Sequence, residues 1–314
     1  MLGFVGRRLL EALPTLFVVS LTMFIILHLA PGDPVQMMLG EDADPQAVAA
    51  LSAELGLDRP LPVQYVDWLI AAARGDLGRS IRTHERVATA ILERLPVTLE
   101  LSLFALVIAV AIGVPLGILA AVRRNSLIDI VSTTIALIGV SLPTFFTGLI
   151  FIFFFALVLR VLPPAGYTPF WQNPIENLRM MVMPSVALGA ALAGILARMT
   201  RSSMLEHLGD DYIRTARAKG LSERAVIVRH ALKNALIPVV TVLGLEMGAL
   251  LGGAILIESI FALPGIGRLV IDSIFARDFP VVQGTILFLA LTRMATNLLA
   301  DVVYGWLDPR IAYA

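Results

Sequence analysis

The 314-residue chain is 58% hydrophobic and only 15% charged, and its formal net charge is zero. A soluble domain carries more charge on its surface, so this composition indicates a membrane protein. The charge balance gives no overall field that would favour nucleic acid. The absence of cysteine excludes disulfides and cysteine-based metal sites. The four histidines, His28, His84, His207 and His230, share no ligand spacing, and we expect no metal site.

An apolar run from Leu10 to Ala30 follows Arg7 and Arg8 near the start of the chain. Signal peptides have the same order, but this run is long, contains Pro14 and is followed by no clear small-x-small cleavage site. About 20 apolar residues cross the hydrocarbon core of a bilayer. We therefore predict an uncleaved first transmembrane helix, which ends at Pro31-Gly32-Asp33-Pro34.

Residues 31–95 form a polar insertion with six arginines and ten acidic residues, so the insertion is acidic. A short helix is predicted from an N-cap at Asp44 to a stop at Gly56. A second is predicted over Pro62–Gly75, where Tyr65, Trp68 and Leu69 are expected at the lipid interface.

Five further apolar stretches follow the insertion, at Leu101–Val122, Leu127–Leu159, Met180–Ala197, Ala235–Ile257 and Val281–Trp306. The stretch from Leu127 to Leu159 is too long for a simple crossing and contains Pro143. Division at Pro143 would leave two short pieces, so we predict one long helix that is tilted or kinked at the proline. The fold class is therefore all-α, with six transmembrane helices.

The predicted organisation has three parts. Residues 1–30 hold the first transmembrane helix, residues 31–95 the insertion, and residues 96–314 a core of five transmembrane helices. Within that core, 198–234 is a basic segment and 258–280 a loop with a helical middle. Lysine and arginine concentrate at the N-terminus, after the second span and in the basic segment. The positive-inside rule then places both termini in the cytoplasm and the insertion outside.

The basic segment is the one long polar stretch of the core, and most of it lies within the stretch from Asp211 to Pro238. Its composition favours two short helices joined by a turn at Gly220-Leu221-Ser222, with Ser222 as the second N-cap. A rigid structure of this kind at a membrane surface suits docking to a soluble partner. Contact of the basic side chains with anionic lipid is the alternative.

Polar residues inside the predicted spans are candidates for a transport pathway, because they are costly unless they face the bundle interior. On the third span these are hydroxyl residues, for which helix packing is the alternative role: Ser132, Thr133, Thr134, Ser141, Thr144 and Thr147. On the fifth span Glu246 either lines the pathway or pairs with Arg293. Arg293, Asn297 and Asp301 recur every four residues on the sixth span and form one stripe, which locks helices together or contacts substrate.

Enzyme motifs are missing. The two lysines, Lys219 and Lys233, both lack the preceding glycine of a phosphate-binding P-loop. No hydrolase, zinc-protease or dinucleotide motif stands where it could work. We expect a chain that is not an enzyme and binds no cofactor itself.

The segment Thr215-Ala216-Arg217-Ala218-Lys219-Gly220 resembles the EAA loop of bacterial ABC-importer permeases, although Thr-Ala-Arg replaces the Glu-Ala-Ala of that loop. The longer match is to the dipeptide and oligopeptide branch of the family, and the chain resembles its first permease subunit over nearly the whole length. The motifs and residues that carry this resemblance are Arg7 to Leu10, Leu29 to Pro34, Gly75 to Ser80, Arg94 to Leu101, Asp211 to Asn234, Glu258, Phe261, Pro264 to Arg268, Arg277 to Gly284, Asn297-Leu298, Asp301, Tyr304 and Asp308 to Arg310.

The resemblance implies a type I permease fold with a cytoplasmic coupling helix. The residues that would contact the ATPase are Asp211, Tyr212, Arg214, Thr215, Ala216, Arg217, Ala218, Lys219, Gly220 and Leu221. The resemblance also implies that the outer loop faces a binding protein through Glu258, Phe261, Pro264, Gly265, Gly267, Arg268 and Asp278.

The resemblance further implies a division of labour in a bacterial inner membrane. This chain would supply half of a pore for di- or oligopeptides, and a second homologous permease the other half. Two cytoplasmic ATPases would bind ATP and Mg²⁺, and an extracytoplasmic binding protein would deliver substrate. The lipid bilayer is a partner and nucleic acid is not. Nickel or glutathione is the alternative substrate within the branch. An ion-coupled secondary transporter and a structural membrane anchor are the alternatives from other classes.

Overall fold

The structure, a computed structural model, describes residues 2–29, 35, 39, 44–54 and 56–307. Within these residues the regular structure is helical, apart from an isolated bridge between Arg79 and Arg86. The predicted end of the first span at Pro31 to Pro34 and the motif Asp308 to Arg310 lie outside the described residues. The all-α prediction is confirmed.

The helices in chain order are α1 (Leu2–Leu29), α2 (Pro45–Glu54), α3 (Leu61–Ala73), α4 (Val87–Val122), α5 (Leu127–Ser141), α6 (Thr144–Phe151), α7 (Pro174–Leu208), α8 (Asp211–Ala218), α9 (Glu223–Ala225), α10 (Leu232–Ile260), α11 (Ile266–Phe275) and α12 (Phe279–Leu307). Two π-helical segments extend α6 over Ile152–Val158 and join α9 to α10 over Val226–Ala231.

Five stretches of the described residues are long and apolar enough to cross a membrane: Leu10–Leu29, Val87–Val122, Pro174–Leu208, Glu223–Gly252 and Phe279–Ala300. A sixth crossing results if α5 and α6 together make one span. The count of six predicted from the sequence therefore depends on this bent pair.

The third span is broken, and the prediction of one long helix is wrong. The chain bends by 105° between α5 and the extended α6. Leu142 is extended, with φ −82° and ψ 128°, because the ring of Pro143 disfavours a helical residue before it. The proline also has no N–H for the helical ladder. Thr144 then begins the second limb.

The chain divides into two compact units, of which the first comprises Met1–Val97 and Pro264–Leu298. In this unit Tyr65 of α3 is buried, and its hydroxyl lies 2.8 Å from the hydroxyl of Ser20 on α1. Phe24 contacts the same ring edge-on, with centroids 5.3 Å apart. The expected position of Tyr65 at the lipid interface is therefore wrong, because α3 packs this face against α1.

The second unit comprises Thr98–Leu263 and Leu299–Ala314, and α7 lies at its centre. Glycines let neighbouring helices approach α7 closely, as small residues do in membrane bundles. A Cβ at Gly189 would lie 2.6 Å from the carbonyl oxygen of Ala105 on α4. One at Gly194 would lie 2.3 Å from that of Ala136 on α5. The three helices therefore form a tightly packed block.

The polar connection between α6 and α7 is fixed to α4 through Glu100. This carboxylate accepts hydrogen bonds from the hydroxyl of Tyr167 at 2.7 Å and from Nδ2 of Asn177 at 2.6 Å. Burial, followed by the hydrogen bond to Glu100, raises the pKa of Tyr167 above its ordinary value. Tyr167 therefore stays a hydrogen-bond donor at neutral pH.

Candidate functional site

The candidate site is the short helix α8 at the end of α7. The chain leaves α7 at Gly209, and the extended backbone of Asp210 starts the new helix. The carbonyl oxygen of Asp210 accepts from the amide of Ile213 at 3.1 Å. The carboxylate of Asp210 also contacts Nδ1 of His207 at 2.9 Å. These bonds fix the angle at which α8 leaves α7.

One face of α8 is buried in the second unit through Ile213 and Ala216, which are 0% and 5% exposed. They belong to a cluster that joins the ends of several helices, and its other buried members are Ala121 on α4, Met204 on α7, Val226, Ala231 and Ala235. Because this contact is apolar and closed to water, α8 is held against the ends of three predicted spans.

The opposite face of α8 is exposed and polar. Its side chains are Asp211, Tyr212, Arg214, Thr215, Arg217, Ala218 and Lys219. Three of these are cationic and one is anionic, so the face carries net positive charge. The helix is therefore amphipathic, with its apolar side packed into the protein and its polar side open to solvent.

A turn at Gly220 ends α8. Gly220 has φ +77°, in the left-handed region that glycine adopts without steric cost, and Leu221 beyond it is exposed. Arg217 bridges the turn, because Nη2 lies 2.7 Å from Oε1 of Glu223 and Nε lies 3.1 Å from Oε2. This hydrogen bond raises the pKa of Arg217 further, so its charge is permanent.

The glycine turn predicted at Gly220 is confirmed, but the second short helix beyond it is wrong. Ser222 stands at the N-cap position without a side-chain capping bond. From Glu223 the helix continues through Val226–Ala231 into α10 without a break. The apolar cluster around Val226 explains the difference, because it makes this stretch the buried end of a span.

The loop predicted to face a binding protein contributes mostly buried residues. Glu258 and Phe261 in the second unit are 0% and 1% exposed, and Thr98 donates a 2.6 Å hydrogen bond to Glu258. In the first unit Gly265, Gly267 and Asp278 are buried, Arg268 is half-buried and Pro264 is exposed. Most of the residues predicted to face a binding protein are therefore packed in the interior and are not exposed at the surface.

Asp278 shows how the first unit holds the corner between α11 and α12. Its carboxylate accepts hydrogen bonds from the hydroxyl of Ser80 at 2.5 Å and from the amide of Ile81 at 3.1 Å. The amide of Val282 bonds to the backbone oxygen of Asp278 in the first turn of α12. One buried carboxylate therefore ties the turn after α3 to the corner between α11 and α12.

The pathway candidates are spread over four helices, α5, α6, α10 and α12. Ser141 and Thr144 lie on either side of the break at Leu142 and Pro143, exposed and half-buried respectively. Glu246 is half-buried on α10. Arg293 and Asn297 are both exposed on α12, as one face requires, and Asp301 follows on the same helix.

Thr147, by contrast, fits the packing role. Its hydroxyl donates to the carbonyl oxygen of Pro143 at 3.3 Å, one turn earlier, and the same oxygen also accepts from the backbone amide of Thr147 at 3.1 Å.

The sequence analysis missed the ion pair between Asp129 and Arg201. The guanidinium of Arg201 on α7 holds the carboxylate of Asp129 at the start of α5 with two bonds of 2.7 and 2.8 Å. A carboxylate in the first turn of an apolar run is the signal that could have revealed it. Its partner could not be read from the sequence, because 72 residues separate the two.

Comparisons with known proteins agree with this architecture. Residues 113–313 match the family described as the inner membrane component of binding-protein-dependent transport systems, and residues 1–102 match its N-terminal region. A dipeptide transport system permease protein of Alkalihalophilus pseudofirmus is 45% identical, with 100% of both chains covered. A glutathione transport system permease protein of Escherichia coli is 44% identical, again with 100% of both chains covered.

A crystal structure of an amino acid ABC transporter with histidines has the same fold, with a TM-score of 0.51 at 16% sequence identity. The match covers 71% of this chain and 94% of that one. The two family matches and the relatives together span the chain. The chain therefore belongs to the family of inner membrane components of binding-protein-dependent transport systems.

Proposed function

We propose that this chain forms one half of the translocation pathway of a peptide importer and that α8 couples it to ATP hydrolysis in partner subunits. The observation that carries the proposal is the two-sided structure of α8. Its apolar side is packed into the ends of α4, α7 and α10, and its basic side is exposed. A helix built in this way can pass a displacement from a soluble partner to several spans at once.

The proposed assembly contains a second homologous permease, two cytoplasmic ATPases that hold ATP and Mg²⁺, and an extracytoplasmic binding protein. The distribution of basic residues supports a topology with α8 and both termini in the cytoplasm. The chain itself holds no nucleotide in this proposal, since it has no P-loop.

Peptides are the proposed substrate class because a full-length relative at 45% identity carries the name of a dipeptide permease. The glutathione relative at 44% identity points to the same class, since glutathione is itself a small peptide. We place di- and oligopeptides first and glutathione second.

The proposed mechanism is alternating access. ATP binding draws the ATPases together, α8 moves with them, and the spans open toward the outside. ATP supplies the bias because it binds the closed ATPase arrangement more tightly than the open one. The binding protein releases its peptide into the outward-open pore, and hydrolysis resets the cycle.

The test is affinity purification of the tagged chain from detergent-solubilised native membranes, with identification of all recovered subunits and an ATPase assay. We expect a second multi-span permease and P-loop ATPases. Arg214→Glu, on the exposed face of α8, should recover less ATPase. Arg179→Glu, exposed on α7 outside this face, should recover the wild-type amount. Recovery of the chain alone, or with copies of itself only, would contradict the proposal.

A further inference from the structure

The ion pair between Asp129 and Arg201 lies next to the attachment of α8. Arg201 precedes Met204 by three residues on α7, so both side chains lie on one face of that helix. Met204 is a buried member of the cluster that holds α8. The same turn of α7 therefore contributes an apolar side chain to the cluster that holds α8 and a charged side chain to the ion pair with α5.

Asp129 is bound more completely than a surface ion pair requires. Besides the two bonds from Arg201, its carboxylate accepts from the amide of Asn125 at 3.0 Å and from the hydroxyl of Thr133 at 3.3 Å. Its side chain is only 7% exposed, against 30% for Arg201. A paired carboxylate with all its acceptor positions used has one well-defined geometry.

The α5 helix that Asp129 begins is the first limb of the broken span. It approaches α7 closely at Gly139, since a Cβ there would lie 2.8 Å from the carbonyl oxygen of Ala190. Its other end is the break at Leu142 and Pro143, where the chain turns by 105°. A shift of α5 along α7 would therefore appear at the break.

We propose that the pair of Asp129 and Arg201 is the link through which movement of α8 reaches the broken span. When α8 moves, α7 moves with it through the apolar cluster. The bidentate bond carries α5 along and changes the angle at the break. Ser141 and Thr144, on either side of the break, would then shift relative to the pathway. Asp129 and Arg201 act here as positioning residues. The inference rests on the proposed function.

Asp129→Asn is the informative variant. It keeps the shape of the side chain and leaves a guanidinium that is partly exposed and can be solvated. Loss of Arg201 would instead leave a buried carboxylate without its counter-ion. The matched control is Arg179→Gln, which breaks an exposed ion pair with Glu176 on the same helix α7.

The experiment uses the complete complex in proteoliposomes, with labelled alanyl-alanine as the transported probe. The measured quantity is the number of ATP molecules hydrolysed for each dipeptide taken up. We expect Asp129→Asn to assemble, to keep basal ATPase activity and to raise this ratio at least about fivefold, in the usual range of coupling between sites. Arg179→Gln should keep the wild-type ratio.

Exchange of the charges, Asp129→Arg with Arg201→Asp, should restore at least half of the coupling, as a pairwise interaction requires. A merely structural role would change the amount of complex but leave the ratio as it is. An assembled Asp129→Asn complex with the wild-type ratio would overturn the inference. If Asp129→Asn does not assemble, the exchanged variant decides, and an assembled exchanged complex that stays uncoupled would overturn it as well.

The two proposals fail in different ways. If the wild-type complex takes up dipeptide without consuming ATP, the proposed function fails and the link fails with it. If the wild-type complex is coupled and Asp129→Asn is equally coupled, the link alone fails. The chain has no cysteine, so labels placed at Thr215 and Phe146 can report movement of α8 and α6 separately. In Asp129→Asn the first label should still respond to ATP and the second should not.

Discussion

Thr98 and Glu258 are joined by a 2.6 Å hydrogen bond although 160 residues separate them in the sequence. Both side chains are buried in the second unit, at 1% and 0% exposure. The bond connects α4 to the end of α10, where the chain enters the loop before α11. A buried carboxylate requires donors of this kind, and their loss is costly.

Thr98→Val should therefore destabilise the protein. The substitution keeps the shape of the side chain and removes one donor, which costs about 1–3 kcal/mol of unfolding free energy. The measurement is the thermal unfolding midpoint in detergent. Thr241→Val is the matched control, because Thr241 is partly exposed and bonds only to the backbone of its own helix at Ile237. Equal midpoints for the two variants would contradict the structural role of the bond.

Gly194→Ala should lower the stability of the second unit, although the substitution adds only one methyl group. The added methyl group would lie 2.3 Å from the carbonyl oxygen of Ala136 and 2.7 Å from Cγ2 of Val140. Separation of α5 from α7 should cost about 1–3 kcal/mol. Gly6→Ala is the control, since no atom lies within 4 Å of the added carbon. Thermal unfolding that leaves Gly194→Ala as stable as Gly6→Ala would rule out the tight contact.

Gly220 provides a test of the turn that orients α8. Its surroundings are open, so only its φ of +77° restricts substitution. Asn tolerates this region, whereas a β-branched residue is strongly disfavoured. We expect Gly220→Val to insert and accumulate normally but to uncouple ATP hydrolysis from uptake. Gly220→Asn should remain close to wild type. Transport at the wild-type rate in Gly220→Val would argue against a coupling role.

The bond from Tyr167 to Glu100 predicts a specific pH dependence. Burial and then this bond raise the pKa of Tyr167, so the folded state favours the neutral phenol. The resulting stability is fully present below the ordinary tyrosine pKa of about 10, and is lost only as pH rises through the higher folded value. The stability difference between wild type and Tyr167→Phe should therefore be constant between about pH 6 and pH 9.

Urea or thermal unfolding at several pH values measures this difference. Tyr212→Phe is the control, because the hydroxyl of Tyr212 is partly exposed and accepts a hydrogen bond from the side-chain amide of Asn234. A difference for Tyr167→Phe that shrinks between pH 7 and pH 9 would show that the phenol ionises too early for this role.

The sequence predicted what local patterns determine. Apolar length located the spans, and the helix over Pro45–Glu54 follows from an Asp44 cap, whose Oδ1 accepts from the amide of Gln46. The turn at Gly220 was predictable because glycine marks a left-handed residue at a helix end. The position of α8 along the chain was visible as the one polar, helix-forming segment between two apolar spans.

Features that depend on distant contacts were not predictable. The break at Pro143 was read as a kink, because a proline alone does not determine whether two limbs of a helix separate by 105°. The sequence indicates a position for Tyr65 at the lipid interface. The hydrogen bond between the hydroxyls of Tyr65 and Ser20 depends on the packing of α3 against α1, which the sequence does not show. The pairing of Asp129 with Arg201 follows from the approach of α5 to α7.

In the proposed function, α8 makes this chain a subunit of an ATP-driven importer. The most direct measurement is uptake of labelled alanyl-alanine into proteoliposomes that contain the chain with its co-purified partners and binding protein. Uptake should require ATP on the α8 side and should persist when an ionophore collapses the proton gradient. Uptake that continues without ATP and stops when the gradient collapses would contradict the claim, and would direct attention to Glu246 and Arg293 as ion-coupling residues.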